Sequence, residues 1–180
     1  MQPTTIPAIQ RLNRYVLILG TLFLSTMQIT AGTILMSTAA LDDSNFEHAT
    51  IFIAAHNPKG AMGFVINKKF TRALNELEEF KQGITFPLYD GGPMDKEHLY
   101  FVHKRPDLIE GGTLISDSIY LGGNFKQAVA QLNNKTVTQK DIKIFIGYCG
   151  WDFKQLEEEV EEGSWKVADT NEESIFNTLR

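Results

Sequence analysis

The stretch Gly147-Tyr148-Cys149-Gly150-Trp151 decides how this sequence is interpreted, because it sets the only cysteine of the chain among two glycines and two aromatic residues. Residues 142–146 before it carry isoleucine at every second position, as on one face of a strand. Residues 153–160 after it carry apolar residues at helical spacing. The stretch is therefore predicted to be a turn between a strand and a helix, where free backbone N–H groups can form a site.

The helix predicted after this turn has recognisable ends. Asp152 and Gln155 have the spacing of a capping box, and Gly163 is placed to stop the helix. Phe153 and Leu156 are expected on its apolar face. The glutamates that follow are expected to form its solvated outer face, with the capacity to attract a basic partner.

Working outward, strands and helices are interleaved irregularly along the rest of the chain. Asn57-Pro58-Lys59-Gly60 has the composition of a type I turn and predicts an antiparallel hairpin between the apolar runs around it. The other strands are predicted over residues 32–37, 50–56, 61–67, 86–89, 98–103, 114–121 and 165–168. Helices are predicted over residues 71–80, 124–132 and 171–176. This order favours an α+β domain over a doubly wound sheet.

Composition and charge limit the classes of function. A chain of 180 residues with 43% hydrophobic content suits one compact domain with a sizeable core. The formal net charge of -5 provides no basic surface for a phosphate backbone, so direct nucleic-acid binding is not expected. A single cysteine forms no internal disulfide, which suits a reducing, cytoplasmic location.

Residues 1–28 are predicted to be an extension ahead of a domain at residues 29–180. Two arginines followed by the apolar residues 15–24 have features of a signal peptide. The same segment fits a start of translation at Met27 with an over-extended gene model, or a membrane-surface anchor. Export or membrane association is therefore expected only if this segment is a genuine targeting element.

Cys149 is the candidate nucleophile of the chain. A thiol near a helix N-terminus is favoured as thiolate, and His56 or His103 are candidates for its base. No sequence signature of a cysteine–histidine enzyme accompanies it, so packing at a strand end is the favoured interpretation. The four histidines show no metal-ligand spacing, and neither a metal site nor a cofactor is predicted.

Two glycine pairs, Gly91-Gly92-Pro93 and Gly122-Gly123-Asn124, follow predicted strands. Free N–H groups at such turns can bind phosphate or carboxylate. Neither pair matches a nucleotide-binding fingerprint, so turn geometry is the favoured interpretation.

Several segments occur together in an uncommon combination: Gly32-Thr33-Ile34-Leu35, Leu41-Asp42-Asp43-Ser44-Asn45-Phe46, His56-Asn57, Gly60-Ala61-Met62-Gly63-Phe64-Val65-Ile66-Asn67, Gly91-Gly92-Pro93, Gly147-Tyr148-Cys149-Gly150-Trp151, Gln155-Leu156-Glu157 and Trp165. In this order they resemble the YqgE/AlgH family over roughly residues 29–176. The resemblance implies a compact α+β domain with a barrel-like, bifurcated mixed sheet surrounded by helices. The family is bacterial and mostly cytoplasmic, has no established catalytic residues, and includes members labelled as transcriptional regulators. Ala55 and Cys149 depart from its pattern, since relatives often have glutamate at the first position and a small residue such as alanine at the second.

Two classes of function follow. The first is a non-enzymatic binding or regulatory protein with an unidentified protein or small molecule as partner. Its candidate binding residues are Asn67, Gly91, Gly92, His103, Tyr148 and Trp151. The alternative is a hydrolase or transferase that uses Cys149 or a histidine in a cleft. Direct DNA binding rests only on the family label.

Overall fold

The computed structural model describes residues 29–168 and 173–176, and the predictions made for residues 1–28 lie outside this part of the chain. The strands are β1 (Ile34–Ser37), β2 (Thr50–Asn57), β3 (Gly60–Val65), β4 (Lys69–Ala73), β5 (Pro87–Asp90), β6 (Met94–His103), β7 (Thr113–Ser116), β8 (Ile119–Leu121), β9 (Ile142–Asp152) and β10 (Trp165–Val167). The helices are α1 (Phe125–Asn133), α2 (Gln155–Glu161) and α3 (Glu173–Phe176). None of these helices has the length and apolar composition that crossing a membrane requires within the described ranges.

β9 is the strand that organises the sheet. One of its edges pairs antiparallel with β6 over residues 142–148. Its other edge is shared, because β5 pairs parallel with residues 144–146 and β3 pairs antiparallel with residues 149–152. The sheet is therefore mixed and divides at β9, which confirms the predicted α+β fold with a bifurcated sheet.

The sheet curls around one of its faces but stays open. Its main path runs β10-β1-β2-β3-β9-β6-β8-β7, while β4 and β5 branch from β9. The two ends approach each other at Gly32, where an added Cβ atom would lie 2.8 Å from the Cβ atom of Ser116. No pair of described strands closes this junction by hydrogen bonding, so the sheet is barrel-like without being a barrel.

Three apolar clusters fill the domain. The central cluster lies inside the curl and contains the stacked rings of Phe64 and Phe145, whose centroids are 4.6 Å apart. The second lies under α1, which contributes Leu132, and the third lies under α2, which contributes Leu156. Burial of these side chains is the main favourable contribution to folding.

Lys143 is a buried lysine at one end of the central cluster, where it ties α3 to the residue after β3. Its ammonium group donates hydrogen bonds to the backbone oxygens of Ile66 and Ile175, both at 2.7 Å. It also lies 4.0 Å from the ring centroid of Tyr89. Burial, with a smaller contribution from the charge of Lys69, lowers the pKa of Lys143 to about 8.

The prediction of a turn at Gly147–Trp151 is wrong, because these residues continue β9. The glycines allow two backbones to approach closely instead. A Cβ atom on Gly91 would lie 2.3 Å from the backbone oxygen of Gly147, and one on Gly147 would lie 2.5 Å from that of Met94. β9 accordingly passes the end of β5 and the start of β6 without interruption.

Three further local predictions differ from the structure. Residues 71–80 form the end of β4 and two 3₁₀ turns, not a helix. Residues 114–121, predicted as one extended segment, form the hairpin of β7 and β8. Phe153 lies before α2 and is 60% exposed, because Lys154 adopts a left-handed conformation with a φ of 63° ahead of the helix. One hydrogen bond of the predicted capping box is present, because the N–H of Asp152 donates to the side chain of Gln155 at 3.0 Å.

The hairpin, α1 and the end of α2 are confirmed. β2 and β3 pair antiparallel on both sides of the turn between Asn57 and Gly60. Asn124 caps α1 by accepting a hydrogen bond from the N–H of Gln127 at 3.2 Å. Gly163 follows α2 with a φ of 84°, where glycine is favoured.

Candidate binding groove at the open end of the curled sheet

An open groove of about 600 Å³ lies at the C-terminal end of β9, whereas Lys143 lies near the other end of this strand. We call it the mouth groove. Its lining residues are Ala55, Asn57, Lys59, Gly60, Ala61, Met62, Met94, Tyr100, Tyr148, Gly150, Trp151, Asp152 and Gln155. The groove exists because β9 brings the hairpin of β2 and β3 next to β6 at this end of the sheet.

Tyr100 and Tyr148 form the aromatic wall of the mouth groove. Their rings meet edge to face, with centroids 5.4 Å apart and an interplanar angle of 71°. Both pack against the central cluster, where the ring of Phe64 lies 5.9 Å from that of Tyr100. The core behind this wall holds the two rings in place before anything binds.

The hydroxyl group of Tyr100 is committed to Asp95. It donates to Oδ2 of Asp95 at 2.5 Å, and Oδ1 of Asp95 lies 2.7 Å from Nδ1 of His98. The hydrogen bond to Asp95 raises the pKa of Tyr100 to about 12. The same bond lowers the pKa of Asp95, and the hydrogen bond that His98 donates to Asp95 raises the pKa of His98. Tyr100 therefore stays protonated and presents an uncharged ring to the groove.

Two methionines complete the apolar lining. Met94 is 49% exposed, and Met62 is half-buried against the central cluster. Thioether side chains are flexible and make favourable contacts with aromatic rings. This side of the groove can therefore adjust to the shape of a bound group.

Gly150 leaves the space between these side chains open. The nearest atoms to a Cβ atom placed here are Cε2 of Tyr148, at 3.3 Å, and Cγ of Met94, at 3.9 Å. The backbone of Gly150 does not have a positive φ, so its conformation does not require glycine. A side chain at this position would therefore fill the groove without straining the backbone of β9, but the ring of Tyr148 would have to shift slightly to admit it.

The rim beside α2 exposes an aromatic side chain. Phe153 follows the groove residue Asp152 and is 60% exposed. The ammonium group of Lys154 lies 5.2 Å from the centroid of its ring. Because a left-handed conformation is unfavourable for lysine, the chain exposes Phe153 against its local backbone preference.

Trp151 lines the groove but belongs mainly to the core. It is only 7% exposed, and its indole N–H donates to Oε2 of Glu159 at 2.9 Å. The indole N–H of Trp165 donates to the same oxygen at 2.8 Å. The shared acceptor fixes α2 beside the groove.

Three other predicted binding residues lie at or near a second groove. Gly92 lines this groove, which has a volume of about 660 Å³, and Gly91 is buried next to it. Asn67 is exposed, but its side chain accepts from the N–H of Thr50 at 2.9 Å and donates to the oxygen of His48 at 2.8 Å. These two bonds show that Asn67 braces the loop before β2.

His103 lies apart from both grooves, as the buried last residue of β6, paired with Tyr120 of β8. Its Nε2–H donates to the oxygen of Gly122 at 3.0 Å, and its Nδ1 accepts from the N–H of Arg105 at 3.1 Å. Burial lowers the pKa of His103, which favours the neutral ring. Of the six predicted residues, Tyr148 and Trp151 share the mouth groove, and the other four do not line it.

Cys149 packs in the cluster under α2. Its side chain is 2% exposed, and its thiol donates to the oxygen of Gly91 at 3.4 Å. Burial raises the pKa of this thiol to about 12, which disfavours a thiolate nucleophile. His56, a predicted base, instead lies 2.9 Å from a carboxylate oxygen of Glu157. Within the described ranges, no three histidine, cysteine or carboxylate side chains are grouped closely enough to hold a metal ion.

Comparison with known proteins assigns the chain to a family. The family model described as AlgH-like (DUF179) matches residues 34–180. The chain belongs to the AlgH-like family. The family expected from the sequence segments is therefore confirmed.

The AlgH-like chain is similar to bacterial relatives named UPF0301 proteins, a name that states no activity. The relative from Chlorobium limicola is 37% identical over 145 residues, which cover 81% of this chain and 78% of the relative. The relative from Cytophaga hutchinsonii is 34% identical over 149 residues, which cover 82% of each chain.

Solved structures show the same fold. The solution structure of the AlgH protein from Pseudomonas aeruginosa matches with a TM-score of 0.66 and 24% identity, covering 82% of this chain and 80% of that protein. A crystal structure of a protein from Corynebacterium diphtheriae matches with a TM-score of 0.66 and 19% identity, covering 80% of this chain and 78% of that protein.

Among the residues that sequence reasoning missed are three large side chains that wall the groove, namely Met62, Met94 and Tyr100. Met62 had a usable signal, because alternation along β3 places it on the same face as Phe64. The sequence contains no usable signal for Met94 or Tyr100. They lie on either side of an irregular stretch of β6, where the register against β9 shifts.

Proposed function

We propose that this AlgH-like chain is a non-enzymatic binding or regulatory protein that takes an apolar segment of a partner protein into the mouth groove. The observation that carries the proposal is the open space over Gly150, walled by Tyr100, Tyr148, Met62 and Met94 at the open end of the core. Ligand sites favour such positions, where the mouth of a barrel-like sheet meets solvent.

The composition of the groove supports a protein partner. Aromatic residues and methionine are enriched at protein interfaces, and both line this groove. Its volume of about 600 Å³ is sufficient for one or two large side chains. Because the groove is open, a short segment on a partner surface fits it better than an enclosed small molecule does.

The alternative, a hydrolase or transferase, has less support. The thiol of Cys149 is buried, and its pKa of about 12 disfavours the reactive form. Tyr100 is held protonated by Asp95, so it is a poor nucleophile. His98 is oriented by Asp95, but its side chain is 70% exposed and does not line the mouth groove.

We also propose a cytoplasmic location for this binding role. The single cysteine is buried and free, and such a thiol suits a reducing compartment. The net charge of -5 gives direct nucleic-acid binding no electrostatic support. In this proposal a regulatory role therefore acts through a protein partner.

Methyl NMR tests where a ligand binds. Peptides selected by display against the chain are titrated into protein labelled with ¹³C at the methionine methyl groups. The signals of Met62 and Met94 are expected to shift. Met36 is the matched control, because it is 47% exposed on β1 and outside the groove. Shifts of equal size at Met36, or none at the groove methionines, would contradict the proposal.

Two substitutions test whether the groove is required. Gly150→Val fills the groove with a side chain that suits a strand, so at least about tenfold weaker binding is expected in a variant that still folds, as checked by thermal unfolding. Leu114→Ser removes a 55% exposed apolar side chain on β7, outside the groove, and is expected to leave binding unchanged. Undiminished binding by Gly150→Val would refute the assignment of this groove.

A further inference from the structure

Three glutamates at α2 have no role in holding the fold. Glu158, Glu161 and Glu162 are exposed and form no ion pair or side-chain hydrogen bond with any residue in the described part of the chain. The other two glutamates of this segment differ, because Glu157 bonds to His56 and Glu159 accepts from both indole groups. The three free carboxylates form one acidic stripe, with spacings of three and four residues.

The C-terminal part of the acidic stripe opposes the preferences of a helix, whereas Glu158 lies in the first turn, where the helix dipole favours an acidic residue. Glu158 and Glu162 are four residues apart, where like charges repel each other across one turn. Glu161 and Glu162 also lie at the C-terminal end, where the helix dipole favours cations, and the last turn of α2 has no basic residue. A charge pattern that weakens the end of its own helix, without a partner in the described part of the chain, points to a partner outside that part.

The acidic stripe is close enough to the mouth groove to act on the same ligand. Gln155, the first residue of α2, lines the groove. With a rise of about 1.5 Å per residue, Glu158 lies about 5 Å and Glu162 about 10 Å further along the helix axis. The charge of Glu158 lies within the Debye length of about 8 Å at physiological salt and is only partly screened, whereas the charge of Glu162 is screened more strongly.

The charges that line the groove itself are balanced, so the acidic stripe determines the sign of the net charge beside the groove at α2. Asp152 is the acidic lining residue and Lys59 is the basic one in the described set. The ammonium group of Lys154, 5.2 Å from the centroid of the Phe153 ring, keeps its positive charge, so the three free carboxylates of the acidic stripe face one cation at the start of α2. The groove is therefore an apolar site with an acidic flank along α2.

We infer that the partner segment places an aromatic or large aliphatic side chain over Gly150 and carries lysine or arginine residues beside it, which pair with Glu158, Glu161 and Glu162. This inference rests on the proposed function and names the class of partner. Charge complementarity of this kind selects partners and accelerates association.

Labelled peptides provide the test, read by fluorescence anisotropy against the full chain. One peptide has a central phenylalanine between lysines, a second has the same phenylalanine between glutamates, and a third replaces the phenylalanine of the first with serine. The first is expected to bind, and to bind more weakly as salt rises from about 50 to about 200 mM. The second and third are expected to bind at least about tenfold more weakly.

Matched charge variants assign the effect to the acidic stripe. Combining Glu158→Gln, Glu161→Gln and Glu162→Gln is expected to weaken binding of the lysine peptide about tenfold. The control variant combines Glu79→Gln, Glu110→Gln and Asp117→Asn, which lie at exposed positions away from α2. It changes the net charge by the same amount and is expected to have little effect on binding of the lysine peptide.

The outcomes separate this inference from the proposed function. Equal binding of the lysine and glutamate peptides, lost in Gly150→Val, would refute the basic partner and leave the groove assignment intact. Equal binding of the serine peptide would show attraction by charge alone and overturn the inference. If no labelled peptide binds, and a partner binds Gly150→Val as well as it binds the wild type, both the inference and the proposed function are overturned.

Discussion

Replacing Lys143 with methionine is expected to remove a rise in stability that the wild-type chain shows at alkaline pH. Lys143 is 3% exposed and bonded to two backbone oxygens, with no carboxylate partner among the described residues. Burial lowers its pKa from 10.5 to about 8 in the folded state. Between these two values the unfolded chain binds more protons than the folded chain, so the free energy of unfolding rises with pH.

The size of the effect follows from the two pKa values. A difference of one pKa unit corresponds to about 1.4 kcal/mol. From pH 7 to pH 9.5, a folded-state pKa of about 8 gives a rise of about 2 kcal/mol in the free energy of unfolding. Below about pH 7 this group contributes almost no pH dependence, because both states keep the proton.

Urea denaturation followed by tryptophan fluorescence measures this rise, since Trp151 and Trp165 both lie in the core. The free energies of unfolding of wild type and Lys143→Met are compared at pH 7 and pH 9.5, and the difference between the two slopes cancels the other titrating groups. Lys126→Met is the control, because Lys126 is exposed on α1. It should retain the wild-type slope.

Parallel pH profiles for wild type and Lys143→Met would refute the reasoning. They would mean that the ammonium group of Lys143 is solvated in the folded protein, so that α3 does not seal this end of the core. A loss of slope in both lysine variants would also contradict it, because the effect would then come from net charge rather than burial.

Three further predictions test the accounts of the buried polar groups and the glycines. Burial lowers the pKa of His103 below 6.5, so the free energy of unfolding of the wild type should fall as the unfolded ring takes up a proton below about pH 6.5. His103→Gln should flatten this loss in urea titrations at acid pH. An unchanged dependence on pH would count against a neutral buried ring. Glu159→Ala should lower the free energy of unfolding by about 2 kcal/mol, because two indole N–H groups lose their acceptor. Glu159→Gln keeps an acceptor oxygen and should lower the free energy of unfolding by less in the same assay. Gly91→Ala should prevent folding, since its Cβ atom would lie 2.3 Å from a backbone oxygen. The control Gly111→Ala meets no atom within 4 Å and should lower the free energy of unfolding by only about 1 kcal/mol, through its φ of 79°. Equal circular dichroism and solubility for the two variants would contradict this expectation.

Local signals in the sequence predicted the elements that depend on local chemistry. The turn between Asn57 and Gly60 and the cap at Asn124 form where their residue types require them. The stretch from Gly147 to Trp151 was misread because glycines between aromatic residues suit a turn, while here they let one backbone pass another. That contact joins residues about fifty positions apart, and no local pattern reports it.

The groove was only half predictable for the same reason. Tyr148 is conspicuous in the sequence, but its partner Tyr100 reaches it through the pairing of β6 with β9 after an irregular stretch. Phe153 was expected on the apolar face of α2 by its spacing. The left-handed backbone of Lys154 delays the start of the helix and directs Phe153 to solvent.

The position of β9 has a consequence for how the domain opens. It pairs with β3, β5 and β6, and it contributes side chains to all three apolar clusters. Its central amide hydrogens are therefore expected to exchange with solvent only when the whole domain unfolds, whereas β7 and β10, each held by one neighbour, exchange through local fraying. Because the mouth groove lies at the end of this strand, a bound partner would slow the exchange of every amide that is released only by global unfolding, and not only of the amides beside its contact surface.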